Sequence, residues 1–145
     1  FDLNFRNQLH SDKEKYKKLF KQINKSIDVH FVSYDDAKDL FNIKSPLEIF
    51  EILNNNNKNF VLIRHENNII FRDKYEEIKT IKVPYGDVVD TTAAGDSFNG
   101  AFLALFNNNK NIQIEDNILK SHSITREVIK HKGAIISKEF MPKLN

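Results

Sequence analysis

The 145 residues suit one domain with a real core. Twenty-two Lys and Arg stand against 20 Asp and Glu, a formal charge of +2 that is too balanced to argue for nucleic acid. The lack of cysteine excludes disulfide and thiolate chemistry; no apolar run reaches membrane-spanning length and no signal-peptide pattern opens the chain, so the expected compartment is the cytoplasm.

Phe1, Leu3 and Phe5 alternate with Asp2 and Asn4, the period of a strand. Opening inside such a strand, with no initiator methionine, the chain reads as the later part of something longer. Ser11 and Glu14 have the capping-box spacing, and Tyr16, Leu19, Phe20 and Ile23 follow at helical intervals, which predicts a helix over about 12–25. Its lysines, interleaved with Asp12 and Glu14, read as a solvated face. A strand is expected near 27–32. Ser33 and Asp36 repeat the cap and open a short helix through about Phe41. Ser45, Pro46 and Glu48 make a third cap, whose helix carries Leu47, Phe50, Ile52 and Leu53 and stops at Asn54–Asn57.

Two strands, at Asn59–His65 and Asn68–Phe71, are joined by Glu66 and Asn67, and a further strand is predicted at Ile78–Val83 before Pro84 and Gly86. A short extended piece, Asp87–Asp90, leads into a helix from about Ala94 to Phe106. That helix has a bulky stripe (Phe98, Phe102, Leu105, Phe106) and a small face (Gly100, Ala101, Ala104) suited to close packing. A last helix covers about 115–131, and Gly133–Ile136 suggests a terminal strand. Strands alternating with capped helices argue for α/β with a mainly parallel sheet, and nothing marks a second domain boundary. The histidines at 10, 30, 65, 122 and 131 lack metal-ligand spacing. His30 reads as packed or superficial, and no zinc site is expected.

The stretch Val88–Phe106, "VVDTTAAGDSFNGAFLALF", has few bulky side chains where the chain turns from strand to helix. The first turn of a helix offers unpaired N–H groups and the positive end of its dipole, so the backbone of Ala93, Ala94, Gly95 and Asp96 could converge on an anion. Gly95 could take a strained dihedral there without penalty. A carboxylate beside a phosphate is repelled unless it has work to do, and Asp96 could accept the proton of an attacking hydroxyl. The loop is neither a Walker A loop nor a dinucleotide fingerprint. The residues alone leave a second reading open: Thr91 or Thr92 caps the helix, Asp96 stabilises its first turn, and Gly95 packs closely.

"DTTAAGDSFNGAFL" closely resembles the carboxy-terminal signature of the PfkB or ribokinase-like carbohydrate kinases, and its "TTAAGDSF" variant is most similar to the branch acting on 2-dehydro-3-deoxygluconate. "FDLNFRNQL", "IDVHFVSYDDAKDLF" and "VIKHKGAIIS" resemble other segments of that family, so the resemblance runs along nearly the whole chain but begins halfway through the family domain. It implies a ribokinase-like α/β fold, a mainly parallel sheet flanked by helices with the amino-terminal half missing. Residues 1–145 would be the carboxy-terminal part of a PfkB-type kinase domain.

The implied activity is ATP-dependent phosphorylation of the terminal hydroxyl of a sugar acid, 2-dehydro-3-deoxy-D-gluconate, to its 6-phosphate. A kinase for a neutral sugar of the fructose or ribose type and a non-catalytic remnant are the alternatives, and the 145-residue chain alone is expected to be inactive. By resemblance, Asp96 is the catalytic base and touches the substrate. Ala94, Gly95 and Asp96 form the anion hole, with Ala93 where many members have glycine. Arg6 matches the strand arginine of the acid-sugar branch, and a guanidinium suits a carboxylate; a structural ion pair is the other reading. Asp2 and Asn4 share its face and so its pocket. Asp36 supports Mg2+ through water, unless Ser33 and Asp36 are simply a helix cap. Asp90 and Thr92 match positions that hold a monovalent cation such as K+. Arg64, Lys132 and Gly133 lie on the ATP side, where Glu66 replaces a glycine and adds bulk and charge. The implied partners are the sugar acid and ATP, with no nucleic acid or membrane, and the full-length protein could form a homo-oligomer.

Overall fold

The computed structural model describes residues 1–9, 12–53, 59–72, 77–84, 86–108 and 113–142. Two compact units divide the chain, Phe1–Lys82 and Val83–Asn145.

The first unit is built on a five-stranded sheet in the order β1-β2-β3-β4-β5, with β1 at Asp2–Leu3, β2 at Val29–Ser33, β3 at Phe60–His65, β4 at Asn68–Arg72 and β5 at Ile78–Lys82. β1, β2 and β3 run parallel, while β3, β4 and β5 form an antiparallel meander. The α/β expectation holds. The parallel half comes from crossovers through α1 (Lys13–Ile23), α2 (Tyr34–Phe41) and α3 (Glu48–Ile52). The antiparallel half follows from the two-residue link Glu66–Asn67, which is long enough only for a hairpin. Glu66 sits at φ 51°, a left-handed conformation that favours glycine.

Register sets the core. Val32, Ile63 and Ile70 lie side by side on one face and join Leu3, Phe5, Phe20, Tyr34, Ala37, Leu40, Ile49, Phe50 and Leu53. Burying each large side chain contributes about 1.5–3 kcal/mol. Phe31, Leu62 and Phe71, aligned on the opposite face, are buried as well, so these strands read as apolar runs rather than alternating ones. His30 is fully buried in the first core, with the rings of Phe1 and Phe20 at 6.2 and 5.9 Å. Burial lowers its pKa to about 4, so it packs as a neutral ring.

Three caps stop or start these helices. Ser33 Oγ accepts the N–H of Asp36 at 3.4 Å, as its spacing predicts. At the third cap Glu48 Oε1 accepts the N–H groups of Lys44 and Ser45 at 2.9 and 2.8 Å, the reaching-back half of a capping box. The first cap differs from expectation. Asp12 accepts the N–H of Lys15 at 2.9 Å and caps α1, one residue after Ser11, which lies outside the described residues. The asparagine run at 54–57 lies outside them too. Asn42 closes α2 at φ 59°, a conformation asparagine tolerates.

The second unit is a helical pair, α4 (Ala94–Asn108) and α5 (Ile114–Val128). Ala101 packs with Ile124 and Val128. Buried polar groups tie the helices: Asn117 Nδ2 donates to Phe102 O at 3.2 Å, Ser121 Oγ donates to Asn117 O at 2.7 Å, and Ser97 Oγ donates to Thr125 Oγ1 at 3.4 Å. Two expectations need correction here. Of the proposed small face only Ala101 is buried; Gly100 and Ala104 are exposed, and a Cβ on Gly100 would meet nothing within 4 Å. Residues 133–136 form no strand. Gly133 turns at φ 86° and Ile135 is 91% exposed, so these apolar residues have no described neighbouring strand to pair with. No helix of the described residues is long and apolar enough to cross a membrane.

Candidate active site

In the second unit the candidate site is the turn that enters α4. The chain reaches it along α5: Pro84 O lies 3.0 Å from His122 Nε2, and the N–H groups of Val89 and Asp90 both donate to Ile129 O, at 2.8 and 3.1 Å. Arg126 packs close to Gly86: a Cβ there would lie 3.0 Å from Arg126 Nε, so that side chain would have to give by a few tenths of an ångström. Asp90 then organises the turn. Its Oδ1 accepts the N–H of Thr92 at 2.8 Å, its Oδ2 accepts the N–H of Gly133 at 2.8 Å, and the Thr92 hydroxyl adds a third bond. These donors, led by the Thr92 hydroxyl, hold the Asp90 carboxyl down at about 2. Lys132 adds a smaller favourable charge. The Asp90–Gly133 bond thus joins the turn into α4 to the segment after α5.

The dihedral of the turn falls on a different residue from the one expected. Gly95 lies within α4, and the left-handed residue is Ala93, at φ 62°. Alanine pays for a conformation that glycine adopts freely, on the order of 1 kcal/mol. The same is true of Glu66, so both positions where this chain departs from a family glycine have positive φ. Ala94 N–H donates to Thr91 O at 3.1 Å, and Ser97 N–H closes the first helical turn on Ala93 O at 2.9 Å. Gly95 and Asp96 lie between them, in the helix's first turn, where N–H groups face outward. The Asp96 side chain is exposed there. Thr92 is bonded to Asp90 through its N–H and its hydroxyl.

In the first unit a second set of the expected residues comes together: Asp2 opens β1, Asp36 follows β2 in α2, and Arg64 stands near the end of β3. Arg64 Nη2 donates to Asp2 Oδ1 at 3.3 Å, both side chains being about three-quarters buried. Asp36, in the first turn of α2, is within electrostatic reach of Arg6, Asp2 and Arg64. Burial raises its pKa, Arg6 and Arg64 pull it down, and Asp2 and Asp35 push it up. Tyr16 of α1, in edge contact with Phe5 at 5.2 Å, has its phenol raised by burial and then by Asp36. Asp2, Arg6, Asp36 and Arg64 are therefore one charge cluster, while Asn4 is exposed beyond β1. Tyr16 was not foreseen, because its helical spacing marks it only as core. Glu66, which the resemblance places where a glycine is expected, is an exposed turn residue at φ 51°.

The family model for pfkB carbohydrate kinases matches residues 1–141. The chain belongs to the pfkB family of carbohydrate kinases. Among curated pfkB-type relatives, it is 35% identical over 141 residues to a 2-dehydro-3-deoxygluconokinase of Haemophilus influenzae, covering 95% of this chain and 44% of that protein. It is 32% identical over 147 residues to the enzyme of the same name from Escherichia coli K12, covering 98% and 47%. The chain thus spans about half the length of these relatives. Solved structures share the ribokinase-like fold. A Vibrio cholerae fructokinase with fructose, ADP and potassium ion matches with a TM-score of 0.77 at 18% identity, over 92% of this chain and 44% of that one. An E. coli protein described as a ribokinase II, solved with ATP and Mg2+, matches with a TM-score of 0.76 at 17% identity, over 92% and 42%.

Proposed function

We propose that this chain is the carboxy-terminal part of a kinase domain that moves a phosphoryl group from ATP to the terminal hydroxyl of a sugar acid, with 2-dehydro-3-deoxy-D-gluconate as substrate and its 6-phosphate as product. The observation that carries this reading is Asp96 in the first turn of α4, behind a turn that Asp90 and Ala93 hold in shape. The names of the curated relatives support the substrate, and Arg6 supports the carboxylate.

The sugar hydroxyl oxygen attacks the γ-phosphorus, the bond from that phosphorus to the ADP oxygen breaks, and the hydroxyl proton passes to Asp96. The N–H groups of Gly95 and Asp96, backed by the α4 dipole, face the charge that develops on the moving phosphoryl group. Arg6 pairs with the substrate carboxylate. The resemblance assigns nucleotide contacts to Arg64 in the first unit and to the Lys132–Gly133 segment in the second. Magnesium bound with ATP would supply positive charge to the phosphates. Asp36 would hold it through water. Among the described residues no group of three or more His, Cys, Asp or Glu side chains could hold a metal, and an ion carried by the phosphates needs none. A monovalent cation at Asp90 and Thr92 would share the Asp90 oxygens with their N–H and hydroxyl donors.

The test is Asp96→Asn in the complete polypeptide. Steady-state kinetics should show kcat falling about 10²–10⁴-fold, the range of a general base, with ATP affinity retained. A kcat within about twofold of the unmodified protein would remove Asp96 from the mechanism. A complete polypeptide that binds no ATP and turns over neither acidic nor neutral sugars would be a non-catalytic remnant.

A further inference from the structure

Asp2 and Arg64 sit on strands that do not neighbour each other. Asp2 is on β1 opposite Phe31, Arg64 is on β3 opposite Ser33, and β2 lies between them. Two strand spacings separate their backbones by about 10 Å. A short aspartate cannot cross that gap, so the long arginine does. Its guanidinium reaches across β2 to Asp2, and Asp36, in the first turn of α2 after Ser33, is within electrostatic reach of both. The pair is about three-quarters buried, so neither side chain is free to swing as an exposed ion pair would. Arg6, by contrast, is exposed at the rim of the same cluster.

We propose that Asp2 is a positioning residue for Arg64 rather than a contact to the sugar. It fixes the guanidinium beside Asp36, in the place from which Arg64 meets a nucleotide phosphate. The two arginines then have separate tasks, with Arg64 anchored by Asp2 and Arg6 facing the substrate. This inference rests on the nucleotide-binding part of the proposed function.

The test is a double-mutant cycle in the complete polypeptide, with ATP affinity measured by calorimetry and sugar KM by kinetics. Asp2→Asn keeps the shape and removes the charge that holds Arg64. It should weaken ATP binding about 10–100-fold, the range for a lost charged hydrogen bond, and leave the sugar KM within about twofold. Arg64→Met should weaken ATP similarly, and the double variant should be no worse than Arg64→Met alone. Asp2→Glu, which can still reach the guanidinium, should recover affinity to within about threefold. Matching thermal melts would separate these effects from misfolding. If ATP binding tightens and slackens with the pair while no sugar is turned over, the substrate assignment falls and the Asp2 assignment stands. Additive losses, an unchanged ATP affinity in Asp2→Asn, or a raised sugar KM with ATP binding intact would each overturn it. Failure of the unmodified polypeptide to bind ATP would overturn it together with the nucleotide reading.

Discussion

The carboxylate of Asp90 accepts the backbone N–H of Gly133 at 2.8 Å, across 43 residues of sequence. The same side chain accepts Thr92 N–H at 2.8 Å, so one aspartate shapes the turn into α4 and fastens it to the segment after α5. With a folded pKa of about 2, below the ordinary 3.8, its contribution is fully present above about pH 4 and is lost as pH falls through about 2. The Gly133 and Thr92 amide resonances should therefore shift together with a midpoint near 2. Asp90→Ala should abolish that titration and raise hydrogen exchange at Gly133. Independent midpoints for the two amides would break the clasp into unrelated bonds.

Ala93 and Glu66 hold left-handed dihedrals, at φ 62° and 51°. Ala93→Gly and Glu66→Gly should each stabilise the chain by roughly 0.5–1 kcal/mol in urea melts, the relief of dihedral strain less the entropy glycine adds to the unfolded chain. Gly133→Ala is the converse case. A Cβ there meets nothing within 4 Å, so the expected loss of about 1 kcal/mol is conformational alone. A destabilised Ala93→Gly would place the strain elsewhere.

His30 should make the first unit acid-sensitive. Its pKa is lowered by burial to about 4, so below the unfolded value of 6.5 the unfolded chain binds a proton that the folded chain refuses. Stability should fall by about 1.4 kcal/mol per pH unit between about pH 6.5 and 4 from this group. His30→Leu should flatten that part of the profile in denaturant melts at pH 7 and 4.5. The same slope in both proteins would assign the effect to other groups, His122 among them, whose pKa burial also lowers.

Arg6→Met should separate acidic from neutral sugars in the complete polypeptide. Losing a charged hydrogen bond to a carboxylate should raise KM for 2-dehydro-3-deoxygluconate about 10–100-fold and leave fructose or ribose within about twofold. Equal effects on both sugars would make Arg6 a structural member of its cluster.

Local chemistry was legible where it acts over a few residues. Ser33 and Glu48 cap as their spacing predicts, and the strands at Phe60–His65 and Asn68–Arg72 pair through the link foreseen at Glu66 and Asn67. Long-range partners were not. Nothing in the spacing joins Asp2 to Arg64, 62 residues apart, or Asp90 to Gly133. The expected strand at Gly133–Ile136 had the right residues, but a strand needs a neighbour, and Ile135 stands exposed. The turn at Ala93 was misplaced by two residues because glycine invites the strained position, and here alanine occupies it.

The Asp90 clasp also fixes an order of events on the ribosome. The turn at 90–93 is synthesised before α5, and α5 before the Gly133 amide that fastens the turn. Until Gly133 has been made, the turn at 90–93 lacks that tie, although Ala101, Ile124 and Val128 have already been synthesised. The tie to Gly133 can form only once all of α5 has been synthesised.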